Sequence, residues 1–292
     1  MELIEIITSL NTQEKCLKYL EQLCWGGQPE CPYCGSLIFS RKSERYTCRG
    51  CNSSYSVIVG TIFEDTRLSL PKWFLGISLI LSAKKGISSR QLSRHLSVNK
   101  DTAWLLQKKI RLAMAENRVE LKGMIETDES FIGGKSPNRH PENRQIKRGK
   151  GTGYAEKIPV LGMLERKGKI ITKVLNKAWG KEIIPIMRKW INPKSTVITD
   201  GFGGYYYCSD HFESHQVINH NKGIYRYGEF HMNTLEGFWS MFKRSLVGQF
   251  HQVSVFYLQH YLDEMAFKYN HRKIKDKGFN ILLKRMVDMN LP

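Results

Sequence analysis

Two Cys-x-x-Cys pairs constrain this chain more strongly than any other feature of its 292 residues. The first pair is Cys31-Pro-Tyr-Cys34 and the second is Cys48-Arg-Gly-Cys51, with thirteen residues between them. Zn²⁺ in a structural site takes four thiolates in a tetrahedron, and each Cys-x-x-Cys turn can supply two of them. Four cysteines leave no coordination position open for water, so we expect one structural zinc ion. The alternative, two unrelated redox-active or buried pairs, rarely gives this spacing.

The other three cysteines, Cys16, Cys24 and Cys208, are expected to be ordinary buried thiols. Seven cysteines is an odd number, and the N-terminal segment is acidic and amphipathic without the features of a secretory signal. The most apolar stretch, residues 74–83, is far shorter than the roughly 20 residues needed to cross a bilayer. We therefore expect an intracellular protein with no disulfide scaffold and no membrane span.

The charge of the chain narrows the class of partner. It has 45 Lys and Arg against 27 Asp and Glu, a formal net charge of +18 at pH 7. Since 41% of its residues are hydrophobic, the chain can bury a core, which argues against a disordered polycation. A positive charge of this size suits nucleic acid, a membrane surface or an acidic protein, and only the motifs can choose among them.

The spacing of apolar residues divides the chain into five segments. After residue 122, four short apolar runs at 124–128, 158–164, 169–175 and 196–200 have the period of strands, and residues 182–190, 233–247 and 255–269 have the period of helices. This order predicts an α/β (α+β) domain. The predicted boundaries are 1–24 for an N-terminal helix, 25–65 for a zinc ribbon, 66–122 for a helical region, 123–275 for the α/β domain and 276–292 for a C-terminal tail.

Residues 88–114 have the pattern of two helices that flank a tight turn at residues 97–98. This pattern resembles a helix-turn-helix, whose second helix enters the major groove of DNA. A plain helical hairpin with a solvated polar face would have the same pattern. Beside a zinc ribbon and a net charge of +18, we favour a DNA-binding region with Lys100, Lys108 and Lys109 as contacts.

Three acidic residues occupy positions where a carboxylate is costly unless it has a partner. Asp128 and Asp200 each end an apolar strand, and Glu236 lies early in the predicted helix that begins near Asn233. A bound cation is a natural partner. Two Mg²⁺ or Mn²⁺ ions about 4 Å apart, bridged by one carboxylate, stabilise both the attacking and the leaving oxygen of a phosphoryl displacement. The three acids therefore predict a two-metal site for phosphoryl transfer.

Neighbouring charged residues refine this set. Glu129 is a rival to Asp128, but adjacent residues of a strand face opposite sides, so only one of them can point into the site. A single acid such as Glu126 more often has a surface or capping role than a metal role. Lys243 follows Glu236 by nearly two helical turns and shares its face, where an ammonium can contact a substrate phosphate. We add Lys243 to the catalytic set.

Three stretches accompany the four ribbon cysteines: Ile125-Glu-Thr-Asp-Glu-Ser-Phe-Ile-Gly-Gly-Lys135, Thr199-Asp-Gly-Phe-Gly-Gly-Tyr205 and His231-Met-Asn-Thr-Leu-Glu-Gly-Phe-Trp-Ser-Met-Phe-Lys-Arg244. Together they resemble the DDE transposases of the Merlin superfamily and the related bacterial insertion-sequence transposases of the ISXO2-like type, which carry an N-terminal zinc ribbon. The resemblance covers about residues 25–275. Its most specific part is the set of two aspartates, one glutamate and one lysine.

The resemblance implies an RNase H-like catalytic domain in which Asp128, Asp200 and Glu236 hold the two Mg²⁺ or Mn²⁺ ions. In relatives the third acid is sometimes Asn or His, and this chain keeps the glutamate. Metal-activated water would cleave double-stranded DNA at the terminal inverted repeats of a mobile element, and the freed 3′-hydroxyl would attack target DNA. Because two ends must be held together, the resemblance also implies at least a homodimer.

Two further features of the α/β domain have two interpretations each. Residues 135–157 form a basic loop that either grips DNA phosphates or is merely solvated. Phe202 and the tyrosines at 205–207 either stack on an unpaired base or, the favoured interpretation, pack within the fold. The basic residues predicted to contact DNA in this domain are Lys135, Arg144, Lys147, Arg148, Lys150 and Arg244.

Taken together, these features predict a DNA transposase that binds terminal inverted repeats, cleaves the element's ends and joins them to target DNA. Two alternatives stay open: an RNase H-like, structure-specific endonuclease that cuts branched DNA without joining ends, and a non-catalytic DNA-binding protein derived from a transposase. A zinc-dependent hydrolase of small molecules is disfavoured, because the sequence has no open, His-containing zinc site and because such an enzyme would not explain the charge.

Overall fold

The computed structural model describes residues 3–116, 119–133, 157–218, 223, 226–274, 276 and 278–289. The chain divides into two compact units, the first made of Met1–Ala115 with His271–Pro292 and the second of Glu116–Asn270. All of the expected basic loop 135–157 except Lys157 lies outside the described residues. No helix in the described parts of the chain has both the length and the apolar character needed to cross a membrane.

The first unit begins with two helices and a small sheet. Helix α1 spans Leu3–Ser9 and helix α2 spans Gln13–Trp25, with the Thr12 hydroxyl capping α2. Three antiparallel strands follow in the order β1 (Phe39–Lys42), β2 (Arg45–Cys48) and β3 (Ser54–Tyr55). Their core is a few aromatic rings: Tyr46 stacks on Tyr55, and Trp25 of α2 meets both edge to face. A core this small is typical of modules that a metal stabilises.

Three helices form the middle of the first unit. They are α3 (Leu70–Ser82), α4 (Ser89–Leu96) and α5 (Lys100–Met114). Between α4 and α5, Ser97 adopts a left-handed conformation with φ of 50°, and the Asn99 side chain accepts a hydrogen bond from the Thr102 amide to cap α5. The structure thus contains the two helices and the tight turn that the sequence predicts. Gly76 lets α3 pack closely on α5, since a Cβ there would lie 2.8 Å from Leu106 Cδ2.

The C-terminal segment 276–292 differs from the tail expected from the sequence. Helix α9 spans Phe279–Asp288 and buries four residues at helical spacing. It contacts α2, α3 and α5 within the first unit, and the Ile62 amide donates to the Met286 carbonyl at 3.4 Å. Helix α9 forms because its apolar stripe completes the core of that unit. The buried residues are Phe279, Leu282, Leu283 and Met286.

The second unit is built on a five-stranded sheet in the order β6-β5-β4-β7-β8. Strands β4, β5 and β6 are antiparallel, and β7 and β8 run parallel to β4. This mixed sheet with its flanking helices confirms the α/β fold class and the RNase H-like unit that the resemblance implies. The strands are β4 (Met124–Ile132), β5 (Ile158–Glu165), β6 (Ile170–Val174), β7 (Thr196–Asp200) and β8 (Ser214–Ile218).

Helices cover both faces of this sheet. Helix α6 (Gly180–Trp190) packs in one core with Leu161 and Met163 of β5. Helices α7 (Asn233–Ser245) and α8 (Val255–Asn270) pack in a second core with the alternate residues of β5. The two cores follow the two-residue period of a strand, so the face on which a side chain of β4 or β5 lies can be read from its position.

Candidate active site and metal centre

The register of the sheet places the first two predicted acids side by side. Strand β4 pairs in parallel with β7, with Glu126 opposite Ile198. Asp128 and Asp200 each lie two residues further along, so they reach the same level on neighbouring strands. Asp200 is the last residue of β7, whereas β4 continues past Asp128 to Ile132, so Asp128 lies in the middle of its strand and not at the strand end that the sequence predicted. Because the two strands run in the same direction, both carboxylates lie on neighbouring central strands next to the carboxyl end of β7, where open α/β sheets place ligand sites.

The third acid lies on α7, which packs on the same face of the sheet. Asp128 is paired with Gly162 of β5, and paired residues of antiparallel strands share a face. A Cβ on Gly162 would lie 2.5 Å from Trp239 Cζ2 and 3.0 Å from Leu235 Cδ1, so α7 rests directly on that glycine. Leu235 and Trp239 flank Glu236 in the sequence, and α7 therefore carries Glu236 onto the face where Asp128 points.

The electrostatics of Asp128 link all four predicted catalytic residues. The pKa of Asp128 is raised to about 7, first by burial and then by the negative charges of Asp200 and Glu236, while the positive charge of Lys243 lowers it. Such through-space effects require that the other three charged groups each lie near Asp128. Asp128 is half-buried, whereas Glu236 and Lys243 are exposed. The site is therefore open to solvent on the side of α7.

The donor set fits divalent cations that prefer oxygen ligands. A half-buried carboxylate facing two further acids is a concentration of negative charge that Mg²⁺ or Mn²⁺ would neutralise. Among the residues that the structure describes, only four cysteines bring three or more potential ligand atoms within 4.8 Å of one another. The three acids are thus more widely spaced than the four cysteines, which suits a site that would hold two ions rather than one.

A buried ion pair that the sequence does not reveal secures the start of α7. Glu126 is fully buried, and its Oε1 accepts from Arg166 Nη2 at 3.1 Å and from the Thr234 hydroxyl at 2.9 Å, while its Oε2 accepts from the Leu235 amide at 2.9 Å. Glu126 therefore caps the N-terminus of the helix that carries Glu236. Capping is one of the two roles, surface or capping, that the sequence favoured over a metal role for this acid.

Arg166 extends this contact to the segment before α7. Its Nη1 donates to the Glu229 carbonyl at 2.7 Å and its Nη2 to the His231 carbonyl at 3.0 Å. One guanidinium thus joins β4, the end of β5 and the approach to α7. Arg166 lies in the turn Glu165-Arg-Lys-Gly-Lys169, which looks like an ordinary solvated turn, so no local signal could have identified its role.

Glu129, the rival of Asp128, faces the opposite side of the sheet. The pKa of Glu129 is raised to about 8, mainly by burial and further by the charges of Asp128 and Asp200, while the Tyr205 hydroxyl lowers it. Tyr205 and Cys208 belong to the core on the α6 side. As the alternation of strand residues predicted, the two neighbouring acids lie on different faces, and only Asp128 faces α7.

The four ribbon cysteines converge as their spacing predicted. Their Sγ atoms lie within 4.8 Å of one another, with 3.7 Å between Cys31 and Cys51 and 3.5 Å between Cys34 and Cys48. A Zn²⁺ ion with Zn–S bonds of about 2.3 Å places neighbouring sulfurs about 3.8 Å apart, so the cluster has the right size. Donation from the backbone amides of Cys51 and Gly50 lowers the pKa of Cys48 to about 6, which favours the thiolate. None of the seven cysteines forms a disulfide.

The predicted DNA contacts of the first unit have different surroundings. Lys100 is exposed beside Asp101, and the Lys108 ammonium lies 5.7 Å from the centre of the Trp104 ring. Lys109 instead donates to the Ile62 carbonyl at 3.3 Å, so its ammonium is directed into the unit and away from a DNA groove.

The first helix of the pair has a basic surface that the sequence did not single out. Helix α4 exposes Arg90, Arg94 and His95, and together with Ser88 and Gln91 these side chains line a shallow depression. The two arginines are four residues apart, and this helical spacing is the signal that could have identified them. On α7, Lys243 and Arg244 are both exposed. Lys135, Arg144, Lys147, Arg148 and Lys150 lie outside the described residues.

Comparisons with known proteins agree with this division of the chain. Residues 120–270 match the family model described as "ISXO2-like transposase domain", and residues 11–54 match the one described as "Transposase zinc-ribbon domain". The second match begins before the predicted ribbon and includes α2, whose Trp25 packs on the ribbon tyrosines.

Similar proteins come from an archaeon and a bacterium. The chain is 27% identical over 252 residues to an uncharacterized protein in transposable element ISH50 of Halobacterium salinarum, covering 82% of this chain and 85% of the relative. It is 30% identical over 113 residues to an uncharacterized transposase-like protein of Haemophilus influenzae, covering 38% and 89%. Among solved structures, the Mos1 strand transfer complex aligns at 11% identity with a TM-score of 0.28, covering 74% of this chain and 75% of the other.

Proposed function

The chain belongs to the family of ISXO2-like transposases, and from this premise we propose that it cleaves DNA at the ends of a mobile element and joins the resulting 3′-hydroxyls to target DNA. The observation that carries the proposal is the electrostatic coupling of Asp128 to Asp200, Glu236 and Lys243 in one open site. A three-acid site with an adjacent lysine suits phosphoryl transfer on a long polyanion.

Each catalytic side chain has a role that its position supports. Asp128, Asp200 and Glu236 would hold the two Mg²⁺ or Mn²⁺ ions. When bound, such ions activate the attacking water or hydroxyl and neutralise charge on the phosphate. Lys243 is exposed on α7 and would bind a phosphate oxygen of the substrate. No protein nucleophile is required.

The first unit supplies DNA binding in this proposal. One structural Zn²⁺ on the four ribbon cysteines would hold the ribbon in shape, because its aromatic core is small. Lys100 and Lys108 on α5, with Arg90 and Arg94 on α4, would contact the phosphates of the terminal inverted repeats. A DNA-associated location inside the cell and a homodimer or larger assembly on the two ends belong to the same proposal.

The test uses the full-length chain and a supercoiled plasmid that carries the coding segment with its flanking inverted repeats. We expect cleavage at the repeats in Mg²⁺ or Mn²⁺, and loss of cleavage with retained DNA binding in Asp128→Asn, Asp200→Asn and Glu236→Gln. The matched control is Asp210→Asn, an exposed acid outside the site, which should cut like the wild type. Undiminished cutting by one of the three variants would remove that residue from the site.

A second assay separates the alternatives. Pre-cleaved ends with a 3′-hydroxyl are incubated with a target plasmid, and joined products are counted. Joining supports a transposase. Cutting of branched DNA without joining would favour the structure-specific endonuclease, and binding without any metal-dependent cutting would favour the non-catalytic DNA-binding protein.

A further inference from the structure

Four aromatic side chains of the second unit are unusually exposed. Trp179 is 60% exposed, Phe202 40%, Tyr206 79% and Tyr207 59%. Large aromatic side chains usually supply core or interface contacts, and exposed clusters of them mark binding surfaces. We call these four residues the aromatic surface. The sequence favoured packing for the tyrosines of this region, and this is correct only for Tyr205, which is buried.

The backbone holds the residues of the aromatic surface in two adjoining segments. Gly180, next to Trp179, approaches the turn at Gly204 so closely that a Cβ on Gly180 would lie 2.9 Å from the Gly204 carbonyl. Tyr205 anchors that turn in the α6 core. The rings of Tyr206 and Tyr207, directly after it, meet edge to face with centroids 5.1 Å apart. The aromatic surface is therefore made from two segments whose backbones adjoin, the start of α6 with Trp179 and the turn after β7 with the other three rings.

The aromatic surface begins at the candidate active site. The Phe202 amide donates to Asp200 Oδ1 at 3.0 Å, so the turn that carries the exposed rings is joined to one of the three acids. The backbone of residues 200–207 therefore connects the candidate active site directly to the exposed rings at 202, 206 and 207.

A lysine side chain lies against one ring of the aromatic surface. The ammonium of Lys177 lies 4.3 Å from the centre of the Trp179 ring, a cation–π contact. Aromatic rings that stack on bases, combined with cations that meet the phosphates, are the means by which proteins bind single-stranded nucleic acid. A paired duplex hides the faces of its bases, so rings of this kind select bases that are unpaired.

We propose that the aromatic surface binds unpaired bases of the DNA strand next to the phosphate that reacts at Asp128, Asp200 and Glu236. The inference rests on the proposed function for the identity of the DNA, but binding of unpaired bases is measured without cleavage. The surface favours DNA ends that are frayed or already nicked, and it holds the reacting strand apart from its complement.

The test measures binding of the full-length chain without divalent cations to two DNA duplexes. One is fully paired, and the other has three unpaired nucleotides at one end, including 2-aminopurine. We expect tighter binding of the second duplex and quenching of the 2-aminopurine fluorescence by stacking. Tyr206→Ala with Tyr207→Ala should weaken binding to the unpaired end about tenfold or more and should leave binding to the paired duplex unchanged. Trp179→Ala is a second, independent variant.

Tyr227→Ala is the matched control, because Tyr227 is 71% exposed in the same unit but lies outside the aromatic surface. It should bind both duplexes like the wild type. Equal preference for unpaired ends in the wild type and in the tyrosine and tryptophan variants would overturn the inference, even if the chain cuts and joins DNA. If the chain binds unpaired ends selectively but neither cuts nor joins DNA, the proposed function would be overturned and the inference about the aromatic surface would be retained.

Discussion

Asp128 bears the largest electrostatic cost among the predicted catalytic residues. Its pKa is about 7 in the folded chain, raised by burial and by Asp200 and Glu236, against about 3.9 in an unfolded chain. Below pH 4 both forms are protonated, so no cost arises. As the pH rises from about 4 to about 7, the unfolded chain loses its proton first, and the folded state loses stability. Active sites commonly carry such a cost because function requires the charge.

We predict that Asp128→Asn raises the stability of the metal-free second unit at pH 8, by up to about 4 kcal/mol, and changes it little at pH 4. An amide is neutral at both pH values, so the cost of the buried charge disappears. The measurement is the free energy of unfolding at the two pH values. Asp210→Asn, at an exposed acid, should show no such difference. A variant less stable than the wild type at pH 8 would contradict the prediction.

Divalent cations should make the wild type more stable than the Asp128→Asn variant at pH 8, the reverse of their order without metal. Mg²⁺ or Mn²⁺ binds the folded wild type through ionised Asp128 and should raise its Tm, with a larger rise at pH 8 than at pH 6, because the carboxyl is more fully ionised above its pKa of about 7. The Asp128→Asn variant should lose most of this rise. Equal cation-dependent shifts in the two proteins would show that the ions bind elsewhere.

Cys48 is a ribbon cysteine whose thiol has a lowered pKa, which favours metal binding. Amide donation from Cys51 and Gly50 lowers its pKa to about 6, so it is a thiolate near neutral pH. We predict that Cys48→Ser lowers the zinc content of the purified chain from one ion to none, measured by a chromogenic chelator after denaturation. Cys24→Ser, outside the ribbon cluster, should keep its zinc. Wild-type protein without zinc would refute the structural role of the four cysteines.

At the scale of elements, α7 packs closely on β5 at Gly162, and this contact positions the helix that carries Glu236. We predict that Gly162→Ala destabilises the second unit by about 1 to 3 kcal/mol, because the added methyl would overlap Trp239 and Leu235. Gly237→Ala is the matched control on α7 itself, where a Cβ meets nothing within 4 Å. It should be neutral or stabilise by about 0.5 to 1 kcal/mol, as alanine favours helix. The measurement is the urea concentration at the midpoint of unfolding for each variant. Equal midpoints for the two variants would contradict the close packing at Gly162.

The ion pair of Glu126 and Arg166 fixes the N-terminus of the same helix. We predict that Glu126→Gln destabilises the second unit by about 3 kcal/mol, because Arg166 loses its carboxylate partner and α7 loses its anionic cap. The variant should also cleave DNA more slowly at saturating DNA concentration, while its affinity for DNA stays unchanged. Adding Arg166→Met should restore part of the stability, since it removes the uncompensated cation. Glu213→Gln, at an exposed site, serves as control. Additive losses in the double variant would show that the two residues act independently.

At the scale of the whole molecule, the two compact units have separate cores. The first unit is discontinuous in sequence, because α9 returns to pack with α2, α3 and α5. The second unit, Glu116–Asn270, is a single stretch of chain. A core that is complete within one stretch can fold by itself.

We predict that a fragment of residues 116–270 folds cooperatively and that zinc chelation does not alter its thermal unfolding. Chelation of the full-length chain should lower only the transition of the first unit. A fragment of residues 116–292 tests the assignment of α9: its four buried apolar residues would lack partners, so this longer fragment should be less soluble than the shorter one. Loss of folding in the 116–270 fragment, with folding retained in the longer one, would assign α9 to the second unit instead.

The sequence by itself determined the features that depend on local spacing. The Cys-x-x-Cys pairs, the caps and turn at residues 97–99, and the position of Asp200 at the end of β7 are all set by residues close together in the chain. The predicted end of the first strand at Asp128 was wrong, because β4 continues to Ile132. The alternation of strand residues also correctly separated Asp128 from Glu129. Strand β8, with the sequence Ser-His-Gln-Val-Ile, was missed because polar residues at a sheet edge give no apolar run.

Only the tertiary structure decided the roles that depend on distant partners. The ion pair of Glu126 joins residues forty positions apart, the exposure of Tyr206 and Tyr207 depends on how α6 meets the turn after β7, and α9 is ordered by helices about 170 or more residues earlier in the chain. The reason is physical: whether a side chain is buried, paired or exposed depends on which elements pack around it, and local propensity carries no information about a neighbour that only folding brings near.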